Sequence, residues 1–149
     1  MEYDHDEIGY NYRLVNVLAA IGVAQMETFP SLLENKKKMD SFYRTELNGI
    51  GDIEFQKIHT DVEANCWLFT FKTKKMRNLL SYLNDNGVMS RPFWKPMNQL
   101  DMFKNDTFVS NSNSNKIYEQ CISIPSSAGI TESELKEVVA KIKQFYKEN

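Results

Sequence analysis

Two short stretches hold the side chains best suited to chemistry. The first is Asn11 and Arg13 in Gly9-Tyr10-Asn11-Tyr12-Arg13. An amide and a guanidinium each donate hydrogen bonds to phosphate oxygens, and arginine does so through a two-pronged fork. The plainer alternative has Asn11 capping the following helix and Arg13 pairing with Asp4, Asp6 or Glu7. The second stretch is Arg91-Pro92-Phe93-Trp94-Lys95-Pro96-Met97-Asn98, where prolines stiffen a run of cationic, aromatic and amide side chains. Taken alone it reads as a braced connection whose Trp94 covers a sheet. Other chemistry is thinly supplied. Cys66 and Cys121 lack a Cys-x-x-Cys spacing and have only His5 and His59 to join them, so they read as two reduced, buried thiols rather than zinc ligands. Lys57, Lys72 and Lys104 read as surface lysines, and Lys36 to Lys38 as a solvated helix face.

The elements that must position these groups follow from periodicity. A helix is expected from about Arg13, kinking or restarting at Pro30, which has no N–H to donate, and continuing through Leu32, Met39, Phe42, Tyr43 and Leu47. Asn48-Gly49-Ile50-Gly51 ends it. Between Leu14 and Met26 only Asn16 and Gln25 are polar. A helix apolar all round is normally buried all round, so the chain reads as though it begins inside a larger core.

Short strands are expected at Ile53 to Phe55 and at Cys66 to Thr73. In the latter Trp67, Phe69 and Phe71 alternate with Leu68, Thr70 and Lys72, turning one aromatic face to the core. A helix from about Lys74 carries Met76, Leu79, Leu80 and Leu83 on one side and stops at Asn86-Gly87. Val88 to Phe93 reads as a further strand cut off by Pro92 and Pro96. After a turn region at Asn111 to Asn115 and a short helix into Tyr118, Cys121 to Ile124 forms another strand. The final helix has the clearest start: Thr131 and Glu134 make a capping box, and Ile130 and Leu135 sit at hydrophobic-staple positions. Its stripe is Leu135, Val138, Val139, Ile142, Phe145 and Tyr146. Helices on one face of a small, mostly antiparallel sheet make an α+β fold.

A chain of 149 residues, 42% hydrophobic and 26% charged, suits one ordinary globular domain. A net charge of -2 gives no basic field, which argues against nucleic acid as a partner. No run is long and apolar enough to span a membrane and no signal peptide is visible, so a cytoplasmic location is expected.

Gly9 to Arg13 followed by Asn16, Ala19, Ala20 and Gln25 resembles the segment joining the large and small domains of the DegT/DnrJ/EryC1/StrS nucleotide-sugar aminotransferases. Further matches are the strand at Asn65 to Phe71, Asn86-Gly87-Val88 leading into Ser90 to Pro96, and Ile124-Pro125-Ser126-Ser127-Ala128-Gly129. The Arg-Pro-x-Trp-x-Pro loop and the Ile-Pro-Ser-Ser-Ala-Gly turn look most like the branch that aminates UDP-linked 4-keto-6-deoxy sugars, of the legionaminic acid, bacillosamine and perosamine type.

The resemblance implies the C-terminal small domain of a fold-type I enzyme using pyridoxal 5'-phosphate (PLP), an α/β sandwich. Residues 1–12 would be a linker from a missing large PLP-binding domain and residues 13–149 the small domain. It implies that Asn11 and Arg13 reach across a homodimer interface to the phosphate end of the neighbouring subunit's PLP. It also implies a loop facing the cleft, with Arg91 or Lys95 meeting the diphosphate of the nucleotide sugar and Trp94 packing on its sugar or base. Family members usually carry His at the position of Asn98 and Tyr near Phe103, so two polar contacts are altered. The lysine that carries PLP lies upstream in the family, and no lysine here has its Ser/Thr-Lys, Gly-rich context. The chain by itself is therefore expected to bind no PLP and to transaminate nothing. A free-standing α+β binding or regulatory module remains the alternative. An RNA-binding sheet using Trp67, Phe69 and Phe71 is disfavoured by the acidic balance.

Overall fold

The computed structural model describes residues 4–10, 13–109 and 112–148. Within them lie helices α1 (Asn16–Leu47), α2 (Met76–Asp85), α3 (Asn113–Gln120) and α4 (Glu132–Glu148) and strands β1 (Glu54–Phe55), β2 (Phe69–Lys72), β3 (Arg91–Pro92) and β4 (Cys121–Ile124). The sheet runs β1-β2-β4-β3 with every pair antiparallel. This is the expected α+β architecture.

Period-two alternation decides the faces. Phe69 and Phe71 of β2 and Ile122 and Ile124 of β4 are buried, while Thr70, Lys72, Cys121 and Ser123 between them are only half-buried. The apolar face joins Met39, Tyr43 and Leu47 of α1, Leu79 and Leu83 of α2, and Val138, Ile142 and Phe145 of α4 in one core. The capping box is formed: the Thr131 N–H donates to Glu134 at 2.7 Å and the Glu134 N–H donates to the Thr131 hydroxyl at 3.3 Å.

Four expectations change. Pro30 does not interrupt α1, which runs 32 residues as one α-helix, roughly 48 Å at 1.5 Å per residue. The hydroxyls of Thr28 and Ser31 donate to the Gln25 and Thr28 carbonyls, satisfying acceptors beside the break in the ladder. The strand at 66–73 shortens to β2 because Cys66 sits at φ 52, a left-handed conformation that ends the extended run. Trp67 is thereby thrown out of the buried aromatic face and is 64% exposed. The strand at 88–93 contracts to β3 because the backbone before it is already satisfied: Val88 N–H donates to the Leu83 carbonyl, and Asn84 bonds both the N–H and the carbonyl of Ser90. Pro92 sits on the edge strand, where a missing donor costs no ladder bond. Finally, Cys66 and Cys121 are unpaired thiols as expected, but half-buried rather than buried.

The N-terminal half of α1 stands clear of this core. Leu14, Val15, Val17, Leu18, Ile21, Val23, Met26 and Phe29 are all exposed, and the first fully buried residue of the helix is Met39.

Candidate functional site

The helices leave the second face of the sheet bare, and this face positions the loop that follows β3. Across it the Thr70 and Ser123 hydroxyls meet at 2.8 Å, and Lys72 pairs with Glu54 at 2.9 Å. Arg91 pairs with Ser123 in the sheet register, so its side chain enters from the edge next to these hydroxyls. The chain then turns through Phe93, whose N–H donates to the Cys121 carbonyl, and passes two 3-10 turns at Met97–Gln99 and Asp101–Phe103.

Arg91 and Trp94 share a cleft of about 170 Å³ with Leu68, Met89, Phe93 and Ser123. Lys95 and Asn98 do not line it. Lys95 forms an ion pair with Asp4 at 2.9 Å, and this hydrogen bond, with the attraction between the charges, holds the Asp4 carboxyl below the usual range. Asp4 is one of the acids expected to meet Arg13. The Asn98 carboxamide Oδ1 is buried and accepts no hydrogen bond among the described residues. Arg13 is exposed just ahead of α1, far along the sequence from the loop; Asn11 lies outside the described residues.

Trp94 lies beside the sheet residues Thr70, Cys121 and Ser123 but is only partly covered. It is 41% exposed and stacks on Trp67, with ring centroids 5.8 Å apart and 27° between planes, while Phe93 meets it edge-on at 4.9 Å. Sequence alternation assigns Trp67 to the core and so misses it. The available signal is Asn65, whose side-chain oxygen accepts from the Trp67 N–H at 3.1 Å, the local turn that asparagine favours over a strand.

Lys36 is a second miss. Its ammonium donates to the carbonyls of Trp67 and Ser126, tying α1 to the segment before β2 and to the turn after β4. Burial lowers its pKa. Lys37 and Lys38 behave as a solvated face should, pairing with Glu63 and Glu34. Burial pushes both cysteine thiols up, so they stay protonated at neutral pH and are poor nucleophiles.

A model of the DegT/DnrJ/EryC1/StrS aminotransferase family matches residues 1–143. The chain belongs to that family. Among curated members, GDP-perosamine synthase of Vibrio cholerae is 32% identical over 155 residues, covering 97% of this chain and 41% of the relative. A UDP-4-amino-4,6-dideoxy-N-acetyl-beta-L-altrosamine transaminase of Campylobacter jejuni is 39% identical over 56 residues, 38% of this chain and 13% of the relative. The crystal structure of DesV from S. venezuelae superposes with a TM-score of 0.84 at 19% identity, covering 98% of this chain and 40% of that one, which establishes the shared fold. This family member thus spans about 40% of the length of the full-size relatives it matches along its whole extent. Among the described residues no helix is long and apolar enough to cross a membrane.

Proposed function

We propose that the chain is the C-terminal small domain of a PLP-dependent sugar aminotransferase acting on a nucleotide-linked 4-keto-6-deoxy sugar in surface polysaccharide or glycan biosynthesis, inactive without its large domain. Residues 1–12 serve as the linker, and the working form is a cytoplasmic homodimer. The observation that carries this reading is the bare apolar half of α1. A stripe from Leu14 to Phe29 left in water makes sense when a second, larger body packs on it, and the family match at about 40% of relatives' length supplies such a body.

The residues present fit one end of the cofactor. Helix α1 opens at Val15, whose apolar side chain cannot cap it, with no acid in the first turn, so its leading N–H groups and the Arg13 guanidinium favour an anion there. Asn11 and Arg13 would hold the phosphate of PLP bound to the neighbouring subunit. PLP, when bound, supplies the electron sink through which an amino group is exchanged for a carbonyl oxygen. On the substrate side Arg91 would donate to the diphosphate, with Trp94 against the sugar or base. Lys95 joins the diphosphate only if it leaves Asp4, and Asn98 meets the substrate only if the loop moves to uncover its buried Oδ1. The branch reading draws on a GDP-linked and a UDP-linked relative alike, with the UDP-linked match confined to a shorter segment.

The test is complementation. The large-domain half of a family enzyme, expressed separately, is mixed with this chain and assayed for amino transfer to a UDP- or GDP-linked 4-keto-6-deoxy sugar. Activity that needs both halves supports the proposal. Stable association without activity on any such sugar leaves the non-catalytic module as the better reading.

A further inference from the structure

We propose that Trp67 and Trp94 together form a stacking platform on this chain's own surface for the planar base of a nucleotide. This rests on the reading that the chain serves a nucleotide-sugar enzyme. It goes further by assigning the base, rather than the sugar, to the indole pair and by bringing in Trp67.

The platform is built, not accidental. Cys66 at φ 52 turns Trp67 away from the buried row of Phe69 and Phe71. Three constraints then fix it: the Asn65 side chain accepts from its N–H, the Lys36 ammonium donates to its carbonyl, and its ring lies on Trp94. Trp94 is held in turn by the edge of Phe93 at 74° and by flanking Pro92 and Pro96. Two large rings fixed in this way stay 64% and 41% exposed, at the hydrophobic cost of indole in water. A rigid, nearly parallel indole pair presents the flat π surface on which any base stacks.

The surroundings fit the rest of a nucleotide. Both rings line an open groove of about 820 Å³ along the bare sheet face, within the ~300–1,000 Å³ usual for small-molecule sites. Thr70 offers a hydroxyl for a base edge, and the groove carries charges of both signs, Arg44 and Lys57 beside Asp40 and Glu54, with Lys72 already paired to Glu54. The diphosphate would therefore lie toward Arg91, which shares the adjoining cleft with Trp94. Stacking tolerates uracil and guanine alike, which suits a family whose members carry sugars on either base.

The chain contains only two tryptophans, and both are in the platform, so intrinsic tryptophan emission reports on this site alone. The 149-residue protein is titrated with UDP, GDP, inorganic pyrophosphate and glucose. Saturable quenching by UDP and GDP, absent with pyrophosphate and glucose, is expected. W67F and W94F each leave one reporter and keep a ring, and should still quench. W67A and W94A should weaken UDP and GDP binding, read by calorimetry, about tenfold or more, with far-ultraviolet circular dichroism unchanged. No quenching by either nucleotide, quenching matched by pyrophosphate, or nucleotide binding unaffected in W67A overturns the proposal. Complementation activity persisting alongside such a result would leave the aminotransferase reading intact. Base-dependent quenching without complementation would strike the enzyme reading and keep the platform.

Discussion

Gly51 lies so close beneath the ring of Tyr146 that a Cβ at this position would stand 2.2 Å from two ring carbons. The backbone there has φ +54, and the ring is anchored, since the Tyr146 hydroxyl bonds the Thr73 hydroxyl at 2.6 Å and donates to Asp52 at 3.1 Å. Neither partner can yield cheaply. Gly51→Ala should therefore cost at least about 2 kcal/mol through forced repacking and left-handed strain. Gly49→Ala is the control, with φ +74 but open space around it, and should cost only about 1 kcal/mol. Urea unfolding midpoints at equal slope check both; similar losses for the two would mean that the ring moves aside.

The same contact gives stability a pH dependence. Burial pushes the Asp52 carboxyl up, but hydrogen bonds from the Thr73 hydroxyl, the Lys74 N–H and Tyr146 outweigh it and leave the pKa lowered. A lowered folded pKa means stability present above the unfolded value of about 3.9 and lost as pH falls through the folded one. Tyr146 works in the opposite sense: burial raises it to about 12, so its contribution is full below about 10 and fades as pH climbs towards the raised value. Asp52→Asn should flatten part of the acid limb of a stability profile and, because the Asp52 charge helps raise Tyr146, weaken the alkaline limb slightly. Tyr146→Phe should remove the Tyr146 share of the alkaline limb. An acid limb unchanged in Asp52→Asn would place the proton uptake elsewhere.

The apolar start of α1 predicts self-association. Leu18 and Ile21, three residues apart on one face, are both exposed, and Ala19, Ala20, Gly22 and Ala24 beside them permit close approach. Sedimentation of the purified chain should show concentration-dependent dimers, and Leu18→Asp with Ile21→Asp should shift them to monomer. A clean monomer in the unmutated chain would contradict the reading of this surface as one that needs cover.

Where a residue's fate depends on its immediate neighbours, the sequence reveals it. Thr131 and Glu134 meet as their spacing demands, and β4 spans the expected Cys121 to Ile124. The errors lie where a distant or competing partner takes over. Nothing near Lys36 in sequence foretells that its ammonium will find the carbonyls of Trp67 and Ser126. Alternation puts Trp67 in the core, and one left-handed residue at Cys66 overrules it. In the loop, Arg91 and Trp94 do share one cleft, but no residue type foretells that Lys95 is paired with Asp4.

Cofactor capture by the chain alone should fail. Many of its lysines are already committed, as with Lys72 to Glu54, Lys95 to Asp4 and Lys143 to Glu46. Incubation with PLP, borohydride reduction and mass spectrometry should yield only scattered, substoichiometric labelling. One lysine labelled stoichiometrically would overturn the expectation that the cofactor-bearing lysine lies outside this chain.

In the complemented enzyme the two candidate regions should separate by phenotype. Asn11→Ala and Arg13→Ala remove donors to a charged phosphate, a loss of roughly 1.5 to 3 kcal/mol each, or on the order of tenfold to a hundredfold in PLP affinity. Their KM for sugar nucleotide should change little once PLP saturates. Arg91→Ala removes a donor placed on the bare sheet face beside Ser123, so it should raise the sugar-nucleotide KM and leave PLP occupancy intact. Spectroscopic PLP titration with steady-state kinetics on each variant measures both quantities. If Arg91→Ala strips PLP while Asn11→Ala alters only substrate affinity, the two regions have been assigned the wrong way round, whatever the family's chemistry.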